Sequence, residues 1–193
     1  MTEDLGDQLR RLHEELAGRM RADWRRDLPF AELISDRWKR AEALGFGSGA
    51  SIYDSSYVYG DVRVGANTWI GPLTILDGSG GLTIGEYCSI SAGVHIYTHD
   101  TVAWAVSGGR IPAQRAPVAI GDSTYIGSQA IVARGVTIGD HCVIGAGSFV
   151  NRSIPAYSVA LGVPCRVVGS VEVDASGEVT LHYDAPVERA TSS

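Results

Sequence analysis

The chain lacks the marks of several common protein classes. No stretch approaches the roughly 18 consecutive apolar residues that a membrane-spanning helix needs. The opening Met1-Thr-Glu-Asp-Leu-Gly-Asp7 has neither the basic start nor the apolar run of a secretion signal. A cytoplasmic location with no membrane partner is therefore expected. The formal net charge is −6, and beyond the first forty residues there is no dense Lys/Arg block, so a nucleic-acid partner is not expected either. Cysteine is scarce: Cys88, Cys142 and Cys165 show no paired spacing for zinc or for a redox motif. No metal site is expected. Gly45-Phe-Gly-Ser-Gly-Ala50 is glycine-rich, yet it has no preceding strand and no phosphate-binding lysine, and reads as a turn.

What the sequence does have is a repeat. Ile120, Ile126, Val132, Ile138, Ile144 and Val150 recur at a strict six-residue step, with Gly or Ala after each of the first five. Four residues after each anchor stands Thr124, Ala130, Val136, Cys142, Ser148 or Ile154, so two positions in six point inward. The same register holds from Ile52 through Val58, Val64, Ile70 and Leu76. It slips by two residues in Asp77-Gly-Ser-Gly-Gly81 and resumes at Ile84, Ile90 and Ile96. A period of six matches neither an amphipathic helix nor one long alternating strand. It matches a parallel β-helix with three short strands per coil, stabilised by stacking. Small residues are expected at its corners. Cys88 and Cys142 occupy inward positions and read as packing residues.

The units Ile-Gly-Ser-Gln-Ala-Ile, Ile-Gly-Asp-His-Cys-Val and Ile-Gly-Ala-Gly-Ser-Phe, followed by Leu161-Gly-Val-Pro-Cys-Arg-Val-Val168, resemble the hexapeptide-repeat acyltransferases. The resemblance covers about residues 52 to 168 and is nearest to the sugar O-acetyltransferases of the galactoside, maltose, nodulation-factor and surface-polysaccharide type. It implies a left-handed coil, a homotrimer with active sites between subunits, and acetyl-coenzyme A as co-substrate. The fold expected is thus mainly β: a left-handed parallel β-helix over 46–168, an N-terminal helical cap over 1–45, and a C-terminal hairpin and tail over 169–193.

In the cap, Leu5, Leu9, Leu12, Leu16 and Met20 are spaced as one face of a helix from 4 to about 26. The opposite charged face reads as solvated rather than as a polyanion site. Pro29 breaks the pattern, and a second helix is expected to end near Gly45. After His99 the register vanishes until Ile120. The intervening residues, about 100–117, form a loop ejected from the solenoid, a length that is usually functional. Val171 to Tyr183 alternates about a Ser-Gly turn and predicts a hairpin, with disorder expected from about Ala185.

Acyl transfer from a thioester needs a base for the acceptor's proton and donors for the oxyanion. Of five histidines, His99 stands where the register breaks, and the family's catalytic histidine occupies the matching place; His95 is the fallback. By resemblance, Gly127-Ser128 is the oxyanion candidate, and Ser128, Ala146, Asn151, Arg152 and Arg166 are candidates to hold coenzyme A. Asp77, Tyr97, Asp100, Trp104 and Tyr125 surround the proposed acceptor site. Several of the sugar enzymes carry a Glu in the loop after the histidine and an Asn in the coil before it. This chain has no Asp or Glu between Thr101 and Pro117, and Pro72 at the Asn position. Asp77, Asp100 or a backbone carbonyl must then orient His99. The function expected is transfer of an acetyl group to a hydroxyl or amine of a sugar, nucleotide sugar or similar small acceptor. Two alternatives use the same repeat: a non-catalytic trimeric scaffold, and a zinc enzyme like the γ-class carbonic anhydrases, whose histidine spacing His95, His99 and His141 do not reproduce.

Overall fold

The computed structural model describes residues 4–184. The expected tail from about Ala185 lies outside them. The anchors form three parallel stacks. On one face Ile52 pairs with Ile70, Ile70 with Ile90, Ile90 with Ile126 and Ile126 with Ile144. On a second, Val58, Leu76, Ile96, Val132 and Val150 follow one another, and on the third Val64, Ile84, Ile120 and Ile138. Partners are eighteen residues apart where the repeat is unbroken, as Tyr125 with Val143. They are twenty apart across the glycine slip (Trp69 with Ser89) and thirty-six apart across the ejected loop (Ser89 with Tyr125). A β-bulge between Gly60 and Val62 registers the slip.

From Ile70 to Val150 no anchor is more than 3% exposed. The second inward position is equally dry: Thr68, Cys88, Thr124, Ala130 and Cys142 are all 2% exposed or less. Burial pushes the thiols of Cys88 and Cys142 up, and each sulfur sits against a carbonyl of the next coil, Gly121 at 3.1 Å and Pro155 at 3.0 Å.

The corners differ from expectation. The residue that turns left-handed is often not small: Asn67, Leu73, Tyr87, Gln129, His141 and Tyr157 have φ between 54° and 61°, apart from His141 at 53°. Such a conformation costs a side-chain residue about 1–2 kcal/mol, and it is held by ladder bonds, as where the His141 N–H donates to Asp122 O at 2.9 Å. Where glycine follows an anchor it serves another purpose. A Cβ on Gly127 would lie 2.5 Å from the Ala146 nitrogen in the next coil, so only glycine lets the backbones stack there.

The cap is three helices rather than two: α1 (Leu5–Trp24), α2 (Phe30–Ile34) and α3 (Arg37–Ala43). The break before α3 arises because the Asp36 carboxylate caps it, accepting from the N–H groups of Trp38 and Lys39 at 3.0 and 3.1 Å. Ala41 and Phe46 close the solenoid's apolar end. The buried Glu32 accepts from Asp54 N, Ser55 N and Ser55 Oγ at 2.7–3.0 Å, while Arg40 donates to Tyr53 O and Ser56 O, pinning the first corner. The stripe Leu5, Leu9 and Leu12 remains exposed, because α1 meets α2 through an adjacent flank on which the His13 ring abuts Phe30. No described helix is long and apolar enough to cross a membrane.

At the other end, Ser158–Leu161 pairs antiparallel with Arg166–Val173, which pairs with Val179–Tyr183. The expected hairpin is present. The Asp174 carboxylate closes its turn by accepting from Ser176 N, Ser176 Oγ and Glu178 N.

Candidate active site

The ejected segment is more ordered than its sequence implies. Its root is a two-stranded antiparallel ribbon, His99–Asp100 against Gln114–Arg115, and its outer part carries a short helix, α4 (Val102–Val106). None of residues 101–117 is buried, so the segment adds nothing to the core. Its two ends are tied to each other and to the coil before. Thr98 O accepts from Ala116 N at 2.9 Å, and Thr98 Oγ1 accepts from Gly80 N at 2.7 Å.

His99 is held from the coil before it. Its Nδ1 lies 2.6 Å from Asp77 Oδ2, and its side chain is 37% exposed while that of Asp77 is 2% exposed. Asp77 also accepts from Ser79 N at 3.0 Å, Ser79 Oγ at 2.5 Å and Thr98 N at 2.8 Å. Burial alone raises its carboxyl, but the Ser79 hydroxyl, the His99 imidazole and the two N–H donors outweigh it and hold the group well below the usual carboxylate range. An ionised partner at Nδ1 keeps the proton on that nitrogen and leaves Nε2 as the basic, outward atom. Asp77, expected both among the acceptor contacts and as one of three possible partners to orient His99, is enclosed behind the ring and meets it in the second way.

Asp100 is turned the other way. Arg134, in the coil after, donates through Nε to Asp100 Oδ2 and through Nη2 to Gln114 Oε1. That guanidinium, with the Val102 N–H, holds the Asp100 carboxyl below its ordinary value. Asp100 is therefore a tie for the ribbon. Arg134 escaped the sequence reading, although the coil index contains it: Arg134 follows Val132 by two residues as Thr98 follows Ile96, and those anchors pair.

The remaining candidates divide between two edges of the prism. Tyr97, Asn151 and Arg152 follow anchors of the same stack as Asp77 and lie along the edge that bears His99. Ser128 and Ala146 follow Ile126 and Ile144 on another edge, one coil apart, with Gly147 N donating to Ser128 O at 2.8 Å. Tyr125 belongs to that second face and is 44% exposed. Trp104, on α4, is 53% exposed. Arg166 lies beyond the last coil, exposed, with Nη1 donating to Cys165 O at 2.7 Å. Gly127 N–H is committed to Ile144 O at 2.8 Å, which removes it from the suggested oxyanion pair. His95, the fallback, has its Nδ1 3.3 Å from the Tyr97 hydroxyl, and His141 stacks on Tyr157 at 4.8 Å. Among the described residues no group of three or more His, Cys, Asp or Glu is arranged to hold a metal ion.

Residues 117–152 match the family model described as bacterial transferase hexapeptide (six repeats). That stretch therefore carries hexapeptide repeats of the kind the model describes. The galactoside O-acetyltransferase of Escherichia coli (strain K12) is 53% identical over 55 residues, 28% of this hexapeptide-repeat chain and 27% of that relative. The matched stretch thus spans about a quarter of the curated relative's length. Over the whole fold, a solved galactoside acetyltransferase in complex with coenzyme A is 26% identical with a TM-score of 0.59, covering 88% of this chain and 84% of the other. A hexapeptide-repeat-containing acetyltransferase of Vibrio cholerae O1 biovar eltor, complexed with acetyl coenzyme A, is 26% identical with a TM-score of 0.54, covering 83% and 87%.

Proposed function

We propose that this protein is an acetyl-coenzyme A-dependent acetyltransferase acting on a hydroxyl or amine of a sugar-like small molecule, with His99 as general base. The observation that carries the reading is the Asp77–His99 pair, 2.6 Å apart, at the root of an exposed ribbon on a hexapeptide coil. Similarity to acetyltransferases solved with coenzyme A or acetyl coenzyme A supports the donor.

In this mechanism Nε2 of His99 removes the acceptor's proton as its oxygen or nitrogen attacks the thioester carbonyl. The tetrahedral oxyanion collapses, the C–S bond breaks, and the departing thiolate takes the proton back from the imidazolium. The products are the acetylated acceptor and free coenzyme A, with no acyl-enzyme. Asp77 stays ionised throughout; it fixes the imidazole's tautomer and offsets the charge that forms on the ring. Ser128 and Ala146 stand on a different edge from His99, so we place the donor between the His99 edge of one subunit and the Ser128 edge of the next in a homotrimer. Asn151, Arg152 and Arg166 would then meet its polar and phosphate groups.

The test is release of free thiol from acetyl-coenzyme A across a panel of neutral and acidic sugars and amino sugars. Thiol release matched one for one by acetylated product is expected. Coenzyme A binding without turnover on any acceptor would favour the non-catalytic scaffold and overturn the reading.

A further inference from the structure

We infer that Arg115 forms an anion-binding subsite beside His99, so that the acceptor carries a carboxylate or phosphate close to the group it presents to the base. This rests on the acetyltransferase reading for its context but on separate residues for its evidence. Arg115 is the direct cross-strand partner of His99 in the ribbon. The bond from Ala116 N to Thr98 O, at 2.9 Å, makes His99 and Arg115 a non-hydrogen-bonded pair. In such a pair the two Cβ atoms stand on the same face, about 4.5–5.5 Å apart. The opposite face is identified independently, because Arg134 grips Asp100 and Gln114 together. Arg115 therefore shares the face of His99.

Its charge is uncommitted. Arg115 is exposed and has no hydrogen-bond or ion-pair partner among the described residues. The segment Thr101 to Pro117 contains Arg110 and Arg115 and no Asp or Glu, in a chain whose formal net charge is −6. Arg110 is turned back on Ser107 O at 2.7 Å. The two carboxylates at the ribbon's root are already taken, Asp77 by His99 and Asp100 by Arg134. A guanidinium left free beside a base, in an otherwise acidic protein, attracts and orients an anionic oxygen group, with a planar fork suited to carboxylate and phosphate alike.

The test measures binding by the backbone amide shifts of residues 99–115, with coenzyme A present. One arm compares methyl β-D-glucuronide with methyl β-D-glucoside, and the other compares glucose 6-phosphate with glucose, which separates carboxylate from phosphate. At least one anionic sugar is expected to bind about tenfold tighter than its neutral counterpart, as a charge-assisted contact supplies. That ratio should collapse towards one in Arg115→Gln and be partly kept in Arg115→Lys. Equal binding of charged and neutral sugars, no binding of any up to about 10 mM, or a preference that survives Arg115→Gln would overturn the inference. So would an Arg115→Gln variant that weakens coenzyme A binding and leaves the sugar ratio intact, since the guanidinium would then serve the donor. In His99→Ala the preference should persist while transfer is lost. A wild-type preference without thiol release would sink the acetyltransferase reading and leave the anion site standing.

Discussion

His99→Ala is expected to lower acetyl transfer by about 10²–10⁴-fold, the range that a positioned base contributes, with the fold and coenzyme A binding retained. The side chain is 37% exposed and contributes one hydrogen bond to the coil below, while the anchors that hold the coils together are elsewhere and fully buried. Thiol release, melting temperature and coenzyme A affinity measured on the same preparation check the three parts of the claim. Near-normal turnover in a folded variant would remove His99 from the mechanism. A loss of turnover with loss of folding would mean that the ribbon root is structural.

The second large effect is expected at Asp77. Asp77→Asn preserves shape but replaces the ionised acceptor at Nδ1 with a group that also donates, so both the ring's tautomer and the compensation of its positive charge are disturbed. We expect kcat to fall by about a hundredfold or more, with the KM for acetyl-coenzyme A far less affected and the basic limb of the pH profile altered. A merely structural role would change stability alone. Stability should nevertheless respond, and in a defined direction. The Asp77 carboxyl is depressed in the folded protein. Its contribution is therefore present above the unfolded carboxyl's pKa of about 3.9 and is lost as the pH falls through the lower folded value. The stability gap between wild type and Asp77→Asn, read from denaturant unfolding, should narrow progressively below about pH 4.

The solenoid was legible because its anchors are the residues that water excludes most completely. Ile70, Leu76, Ile90, Ile96, Ile126 and Ile144 are wholly buried, and the two irregularities in their spacing became the twenty- and thirty-six-residue offsets between paired strands. His99 stood out because it lies where the burial rhythm stops, and the resemblance supplied the role expected of it. Asp77 and Asp100 were both named as possible partners, but the sequence did not say which would hold the ring, and Arg134 was missed, because those roles depend on which coil lies above and which below. Asp77 comes up from the preceding coil and Arg134 down from the following one, twenty-two and thirty-five residues from His99 in sequence. The corners were misread because ladder bonds between coils hold Leu73 or Tyr87 in a left-handed conformation that local preference alone would give to glycine. The division of the cap into α2 and α3 turned on one capping carboxylate, Asp36.

The account's central claim is that chemistry occurs at the outward nitrogen of an imidazole held from behind by Asp77. A crystal structure of the protein with coenzyme A and an acceptor tests it most directly. The account predicts that the acceptor's nucleophilic atom and the coenzyme's sulfur both lie within hydrogen-bonding reach of His99 Nε2, about 3–3.5 Å. Donor and acceptor seated away from that nitrogen, for example in the cavity among Trp24, Leu33 and Trp38 of the helical cap and Tyr53 of the first coil, would contradict it.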